Sequence, residues 1–202
     1  DGWPMLGDEN GLIPTTMGKP MAGYTGGEIV SSDEFDSSIL NINWQWNHNP
    51  VAEGWSLTKR PGYMRLKTTR VVENLYLAPN TMTQRMEGPC CTASVKIDIE
   101  KMKDGDVCGF SAFNGDAGVV KVLKEGNEEL TDKDKRVSNV RIKEVFRKEI
   151  NKPKSVYFRI DADFRPGKDL ATLYYSIDGN NWTPLLKDYK MIFDYRRFFM
   201  GS

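Results

Sequence analysis

The stretch that decides the fold runs from residue 41 to residue 66 and reads NINWQWNHNP, VAEGWSLTKR and PGYMRL. It contains three of the five tryptophans and the only histidine of the chain. Apolar and polar residues alternate strictly here, which predicts a strand over residues 41–47 with one apolar and one polar face. The apolar positions are expected in a core, on the face opposite the amides: Leu40, Ile42, Trp44 and Trp46 against Asn41, Asn43, Gln45 and Asn47. Asn49-Pro50 ends this strand, and Pro61-Gly62 leads into a second alternating run over residues 63–68.

The composition of the chain excludes two classes of partner. The 28 basic and 28 acidic residues cancel, so no net field favours nucleic acid or an anionic membrane. No apolar run approaches the ~20 residues that a membrane span requires. The length of 202 residues suits one domain with a sizeable core plus an additional segment.

The three cysteines, Cys90, Cys91 and Cys108, lack the CxxC spacing of a metal site. A disulfide from Cys108 to one of the adjacent pair is geometrically feasible. The favoured alternative is that all three are small buried residues of strands. The sequence therefore leaves the redox compartment undecided.

The organisation of the chain changes near Ser31. Residues 1–30 are rich in glycine and proline, which predicts a linker without a long regular element. Short strands separated by turn signals follow, which predicts an all-β sandwich or barrel. Besides the two runs above, the predicted strands cover residues 82–85, 92–98, 107–112, 119–123, 156–162, 171–176 and 182–185. Asp178-Gly179 between the last two is the strongest hairpin signal. Residues 132–150 fit either a helix or one or two strands, and the surrounding β pattern favours strands.

Several motifs together carry a resemblance to a known family. They are WQWNHNP at 44–50, WSL at 55–57, RPGY at 60–63, NTMTQR at 80–85, KDGD at 103–106 and YSIDGNNW at 175–182. From about residue 31 onward the chain resembles the C-terminal β-sandwich module of glycoside hydrolase family 43, the group of β-xylosidases and α-L-arabinofuranosidases. The resemblance implies a concanavalin A-like jelly roll of two packed antiparallel sheets.

The two ends of the chain add expectations about domain organisation. DGWPMLGD at residues 1–8 resembles the final strand of the five-bladed β-propeller that forms the family's catalytic domain. Residues 1–30 are therefore expected to hold the end of that propeller plus a linker, and residues 31–202 the accessory β-sandwich. The family pattern continues past FFMGS at 198–202, so the sandwich is expected to lack its final strands.

The resemblance implies an accessory function. Family 43 enzymes use three carboxylates at the propeller centre, and none of those motifs occurs here, so whether this chain is itself an enzyme stays open. The implied role is to pack on the propeller of an enzyme acting on xylan or arabinoxylan oligosaccharides and to shape its active-site rim. In some members a sandwich loop places a phenylalanine at that rim, and the F-x-G pattern assigns this role to Phe199. The alternatives are a carbohydrate-binding module that grips xylan directly or an unrelated lectin-like jelly roll. The substrate class favours a secreted or periplasmic protein.

Some residues of the chain have the chemistry of sugar recognition, because aromatic rings stack on sugar C–H faces and amides bind hydroxyls. The candidates for carbohydrate binding are Asn41, Asn43, Gln45, Asn47, Trp55, Gln84 and Arg85. An alternative of equal weight is that the amides pair with their neighbours across strands. The aromatic residues expected to be exposed are Trp55, Tyr63 and Tyr76. His48, Asn49 and Arg60 are assigned to turns or to an interdomain contact, with His48 bonding its neighbouring backbone.

Acidic clusters give the remaining candidates. Calcium binding is conceivable at residues 33–36 and 104–106, but Asp-Gly pairs serve turns for backbone reasons, so turn chemistry is favoured. A structural calcium ion is the one cofactor that the sequence leaves open. Glycoside hydrolysis needs two carboxyl groups ~5–9.5 Å apart in a desolvated cleft. The acidic pairs at 98/100, 104/106 and 161/163 fit solvated strand faces or turns better, so no catalytic residue or metal ligand is assigned.

Overall fold

The structure is a computed structural model that describes residues 7–8, 10–14, 16, 23, 30–125, 134–137, 140–192 and 200–201. These ranges are dominated by strands, with short 3₁₀ helices at Ala52–Gly54 and Leu75–Leu77. The strands, numbered in chain order, are β1 Gln45–Trp46, β2 Trp55–Ser56, β3 Arg65–Leu66, β4 Met82–Arg85, β5 Cys90–Asp98, β6 Val107–Phe113, β7 Gly118–Leu123, β8 Asp134–Val137, β9 Val140–Lys143, β10 Ser155–Asp163, β11 Leu170–Ser176, β12 Thr183–Lys190 and β13 Met200–Gly201.

Two antiparallel sheets form the body of the domain. One has five strands in the order β1-β4-β13-β6-β7, and the other has four in the order β12-β11-β10-β5. Two separate hairpins, β2–β3 and β8–β9, lie outside these sheets. The β8–β9 hairpin shows that the ambiguous segment around residue 140 contains strands, as the β context predicted. The predicted all-β class is confirmed.

The core lies between the two sheets. Buried and partly exposed residues alternate along β10, as expected for a strand with one face inward. The inward positions of the four-stranded sheet pack with residues of β6 and β7 in one cluster: Val156, Phe158, Ile160, Ala162, Ala171, Leu173 and Tyr175 with Ala112 and Val120. Leu173, at the centre of β11, is 0% exposed. Burial of this cluster supplies the main free energy that holds the sheets together.

The two sheets are in close contact where Gly118 of β7 meets Tyr189 of β12. A Cβ atom at Gly118 would lie 2.8 Å from Cδ1 and 2.9 Å from Cε1 of the tyrosine ring. Carbon atoms in contact prefer separations of about 3.5–4.0 Å. Glycine is therefore favoured at this position because its missing side chain leaves the space that the Tyr189 ring fills.

Strand β12 is irregular along its pairing with β11. The register shifts on both sides of Leu173, so that Leu173 lies opposite Leu186 while Tyr174 lies opposite Pro184. Asp188 has φ 51°, in the left-handed region. Pro184 has no N–H group to donate to a ladder. These features bend the outermost strand of the four-stranded sheet.

The strand predicted over residues 41–47 is wrong for its first half. Only Gln45–Trp46 pairs as a strand. The Asn41 side chain accepts a hydrogen bond from the Asn43 backbone N–H at 2.9 Å, and Trp44 N–H donates to the Asn41 carbonyl at 3.1 Å. This Asx turn replaces the extended backbone. Ile42, expected in the core, is instead 94% exposed.

Trp44 and Trp46, expected in the core, are only partly buried and pack within the segment, outside the main inter-sheet cluster. The Trp44 ring stacks on Phe35 with centroids 5.7 Å apart, and its Nε1–H donates to Asp33 Oδ2 at 2.8 Å. Trp46 contacts Trp55 with centroids 5.5 Å apart. The second predicted run, over residues 63–68, is a strand only at Arg65–Leu66.

The cysteines are less buried than expected. Cys90 is exposed, Cys91 and Cys108 are partly buried, and all three thiols are free. Cys90 and Cys91 begin β5, and Cys108 lies in β6 of the other sheet. The expectation for residues 1–30 falls largely outside the described residues.

Candidate functional site

The amide residues proposed for carbohydrate binding do not share one face. Gln45 lies opposite Thr83 in the β1–β4 pair, so its side chain is on the same face as those of Thr83 and Arg85. Gln84 points to the other face, and its Nε2–H donates to the Ser31 carbonyl at 3.2 Å. Gln45, Gln84 and Arg85, expected to be neighbours, therefore lie on two opposite faces of the sheet, with Gln84 on one and the other two on the other.

The asparagines hydrogen-bond to the chain itself. Asn43 Nδ2 donates to Ser31 Oγ at 3.1 Å, and Asn47 Nδ2 donates to the Tyr76 carbonyl at 3.1 Å. Asn41 uses its side-chain oxygen in the Asx turn described above. These contacts join the 41–47 segment to residues far from it in sequence. The assignment of these amides to sugar binding stays a prediction.

The turn after β1 is fixed by Tyr76. His48 Nε2 lies 2.6 Å from the Tyr76 carbonyl, so the expectation that His48 bonds its neighbouring backbone is wrong. The Tyr76 hydroxyl donates to the Gly115 carbonyl at 2.7 Å, and its ring packs on Phe113 with centroids 5.3 Å apart. Tyr76, expected to be exposed, is thus partly buried between this turn and the β6–β7 connection. Asn49 remains exposed.

Arg60 connects its turn to the four-stranded sheet. Its guanidinium carbon lies 3.6 Å from the Tyr63 ring centroid, a cation–π geometry, and Nη1 lies 2.5 Å from Oδ2 of Asp98 at the end of β5. The hydrogen bond from Arg60 and one from the Glu100 backbone hold the pKa of Asp98 below its usual range. The same hydrogen bond raises the pKa of Arg60. The sequence assigned Arg60 to a turn or an interdomain contact and did not identify Asp98 as its partner.

The acidic clusters serve turns and ion pairs. Asp106 Oδ2 accepts from the Lys103 backbone at 2.7 Å around Gly105, which has φ 87°. Asp33 accepts from the Phe35 backbone N–H as well as from Trp44. Both clusters thus contain hydrogen bonds of the turn type. Within the described ranges, no group of three or more His, Cys, Asp or Glu residues is placed to hold a metal ion.

The outer face of the four-stranded sheet carries a cluster that the sequence reading missed. Arg159 donates two hydrogen bonds to Asp161, both at 2.7 Å, and Thr92 Oγ1 donates to Asp161 at 2.8 Å. Burial opposes ionisation of Asp161, but these hydrogen bonds outweigh it and lower its pKa. The Arg159 guanidinium carbon also lies 5.3 Å from the Tyr174 ring centroid and 5.8 Å from that of Trp182. Alternation along YFRIDAD at 157–163 was the available signal, because it places Tyr157, Arg159 and Asp161 on one face.

The predicted rim residue, Phe199, lies outside the described residues. The strand that follows it, β13, lies between β4 and β6, with Met200 opposite both Arg85 and Phe113. Trp55, expected to be exposed, is partly buried against Trp46. Of the helices in the described ranges, none has the length and apolarity to cross a membrane.

The fold defines the class of this protein. Two antiparallel sheets of five and four strands, packed face to face on one apolar core, form a concanavalin A-like β-sandwich. The chain belongs to the family of β-xylosidase C-terminal concanavalin A-like domains, whose model matches residues 32–202. The predicted membership of this family and the predicted β-sandwich fold are both confirmed.

Known proteins similar to this chain are family 43 glycoside hydrolases. A β-xylosidase of Formosa agariphila is 35% identical over 141 residues, which are 57% of this chain and 24% of that protein. A bifunctional GH43-CE structure from Bacteroides eggerthii has TM-score 0.71 at 35% identity, covering 86% of this chain and 24% of its own. A GH43 glycoside hydrolase engineered to display endo-xylanase and exo-arabinofuranosidase activity has TM-score 0.80 at 28% identity, covering 96% and 41%. The chain thus spans less than half the length of each of these relatives.

Proposed function

We propose that this chain is an accessory β-sandwich of a family 43 glycoside hydrolase acting on xylan or arabinoxylan oligosaccharides. In this proposal it packs on the catalytic β-propeller in cis and forms part of the active-site rim. The substrate class is taken from the relatives described as a β-xylosidase and as an endo-xylanase and exo-arabinofuranosidase. Catalysis is assigned to the propeller, because the acidic pairs found here serve turns or pair with arginine.

The observation that carries the docking proposal is a set of large apolar side chains left exposed between residues 39 and 77. Ile42 is 94% exposed and Val71 is 95% exposed. The other exposed members of this set are Ile39, Val51, Leu66 and Leu77. Large apolar side chains that stay exposed on an isolated domain are typical of surfaces that another domain covers. The same segment is anchored to both sheets, by Tyr76 to the β6–β7 connection and by Arg60 to β5. It is therefore held in place for such a contact.

The rim assignment for Phe199 rests on the resemblance and on the position of β13. Met200 begins β13 between two strands of the five-stranded sheet, so Phe199 immediately precedes a fixed point of the fold.

The docking proposal is tested by Ile42→Asp in two contexts, the 202-residue chain alone and the enzyme that includes the propeller. In the chain alone, the change should alter stability by no more than about 0.5 kcal/mol, because the side chain is already in water. In the enzyme, it should cost about 1.5–3 kcal/mol, the value of burying one large aliphatic side chain. Thermal unfolding of both forms measures the difference.

Ile177→Asp is the matched control for this experiment, since Ile177 is also exposed but lies after β11, far along the chain from residues 39–77. Equal effects of the two changes in the enzyme would contradict docking through this segment.

Phe199→Ala tests the rim assignment separately. It should raise KM for xylo-oligosaccharides or change the preferred chain length, and unchanged kinetics would remove Phe199 from the proposal while leaving the docking surface in place.

A further inference from the structure

The outer face of the four-stranded sheet has a regular arrangement of side chains set by strand register. Residues paired across antiparallel strands share a face, so its rows can be read directly from the pairing. One row at the end of the strands is Cys90–Asp163–Leu170–Lys190, and three central rows follow it. The central rows are Thr92–Asp161–Thr172, Ser94–Arg159–Tyr174–Pro184 and Lys96–Tyr157–Ser176. Trp182 lies immediately before β12 and extends the middle row, with its ring 5.8 Å from the Arg159 guanidinium carbon. The face therefore combines three aromatic rings with hydroxyl and charged groups.

The aromatic rings are held in place by the surrounding chain. Tyr157 packs against the β11–β12 turn, where a Cβ atom at Gly179 would lie 3.1 Å from its Cε1. Tyr174 lies within cation–π distance of Arg159, with 5.3 Å between ring centroid and guanidinium carbon. The turn before Trp182 is fixed by Asp178, whose Oδ1 accepts backbone N–H groups of Asn180 and Asn181 at 2.8 Å each. The rings are thus positioned before any ligand arrives.

The hydrogen-bonding groups between the rings are also preorganised. The Arg159–Asp161 pair is held by two parallel hydrogen bonds, yet these side chains keep 34% and 29% of their area exposed. Such a bidentate pair offers remaining guanidinium N–H donors and carboxylate lone pairs to solvent. Thr92, Ser94 and Lys96 of β5 are exposed on the same face. Donors and acceptors therefore surround the aromatic rings.

The chemistry of this face fits a neutral sugar chain better than other partners. An anionic ligand has little to gain from the arginines, because Arg159 is paired with Asp161, and Arg165 at the end of the sheet with Asp163. The other cation of the three central rows, Lys96, lies over a ring, with its Nζ 5.6 Å from the Tyr157 centroid. A protein partner of the usual kind would need exposed aliphatic groups, whereas the three central rows hold only proline besides aromatic and polar residues, and Leu170 of the end row is partly buried. Half-buried rings interleaved with paired polar groups match sugars, which present apolar C–H faces and a border of hydroxyls.

We propose that the outer face of the four-stranded sheet binds a neutral polysaccharide, with Tyr157, Tyr174 and Trp182 as stacking rings and the Arg159–Asp161 pair bonding sugar hydroxyls. This surface is distinct from the amide residues around Gln45, which lie on the five-stranded sheet and its flanking segment. It is also separate from the apolar docking segment at residues 39–77. The domain would then hold polymer on one face while another face contacts the propeller.

The test is affinity electrophoresis of the 202-residue chain in gels containing arabinoxylan or hydroxyethylcellulose. The wild-type chain should be retarded by at least one of these polymers. Trp182→Ala and Tyr174→Ala should each weaken binding by about tenfold, the effect expected for loss of one stacking ring. Trp182→Phe, which keeps an aromatic ring, should lose much less affinity for the polymer. Val119→Ala, at an exposed position of β7 in the five-stranded sheet, is the control and should be retarded like wild type. Gln45→Ala tests the amide residues as the competing site.

A second measurement needs no destabilising variant. In ¹H–¹⁵N spectra, titration with xylohexaose or cellohexaose should shift the indole N–H signal of Trp182 and leave those of Trp44 and Trp46 unchanged. Retardation by neither polymer, or only by a polyanion, would overturn the proposal. So would a loss of binding in Gln45→Ala with full binding in Trp182→Ala. Ile42→Asp separates this result from the proposed docking function, because it should impair domain packing without changing polymer binding.

Discussion

The contact between Gly118 and Tyr189 allows a quantitative prediction about how the two sheets pack. Gly118→Ala introduces a Cβ atom whose ideal position is 2.8 Å from Cδ1 of the tyrosine ring. The ring or the sheet must move by several tenths of an ångström, and overpacking of this kind costs about 1–3 kcal/mol. Alanine is favoured over glycine in a strand by about 0.5–1 kcal/mol, which offsets part of the loss. The net destabilisation expected is therefore about 1–2 kcal/mol, or a fall in Tm of about 2–8 °C.

A double-mutant cycle isolates the contact. Urea unfolding would be measured for the wild type, Gly118→Ala, Tyr189→Ala and the double variant. Without the ring, Gly118→Ala should be neutral or stabilising, giving a coupling energy of about 1–3 kcal/mol between the two positions. The same cost of Gly118→Ala in both backgrounds would refute the reasoning, since the clash with Tyr189 would then not be its cause.

Three further predictions concern the core, an ion pair and the thiols. Leu173→Ala, at a position that is 0% exposed, should cost about 2–5 kcal/mol in urea unfolding because it leaves a cavity between the sheets. Asp98→Asn should destabilise at neutral pH. Because Arg60 lowers the pKa of Asp98 in the folded state, its stabilisation is present above about pH 4 and disappears as pH falls through the folded pKa. With Ellman's reagent near pH 8, exposed Cys90 should react well before Cys108, whose pKa burial raises to about 11.

Each of these three predictions has a control. Ile177→Ala, at an exposed position, should change stability by less than about 0.5 kcal/mol, and a loss as large as that of Leu173→Ala would argue against the assigned core. A stability gap between wild type and Asp98→Asn that stays constant down to about pH 2 would exclude the carboxylate as its source. Cys90→Ser should remove the fast thiol phase, and its persistence would assign that phase to another cysteine.

Strands with one buried face were predictable from sequence. Met82–Arg85 has the predicted bounds, and β10 extends the predicted run by one residue at each end. Alternation is informative there because the inward residues join a continuous core and the outward residues meet water. The hairpin indicated by Asp178-Gly179 is present as β11–β12, with a connection over residues 177–182 in which Gly179 has φ 79°.

Alternation misled where a side chain competed with the backbone. At Asn41 the amide oxygen captures the Asn43 N–H and turns the chain, so the pattern continues in the sequence while the strand does not begin until Gln45. Contacts between side chains of different strands could not be predicted from the sequence either, because they depend on which strands are neighbours. Trp182 and Arg159 are close because β10, β11 and β12 are neighbours, which no local pattern records.

The irregularity of β12 has a consequence for how separate molecules meet. A strand at the border of a sheet displays unpaired N–H and C=O groups that can template a strand from another copy, the first step towards fibrils. Here Pro184 removes one donor, Asp188 turns the backbone out of line, and the register shifts beside Leu173 break the repeat. An incoming strand would find no uninterrupted ladder to copy. We therefore expect the protein to resist edge-to-edge aggregation through β12 in concentrated solutions. Replacement of Pro184 and Asp188 should weaken that resistance.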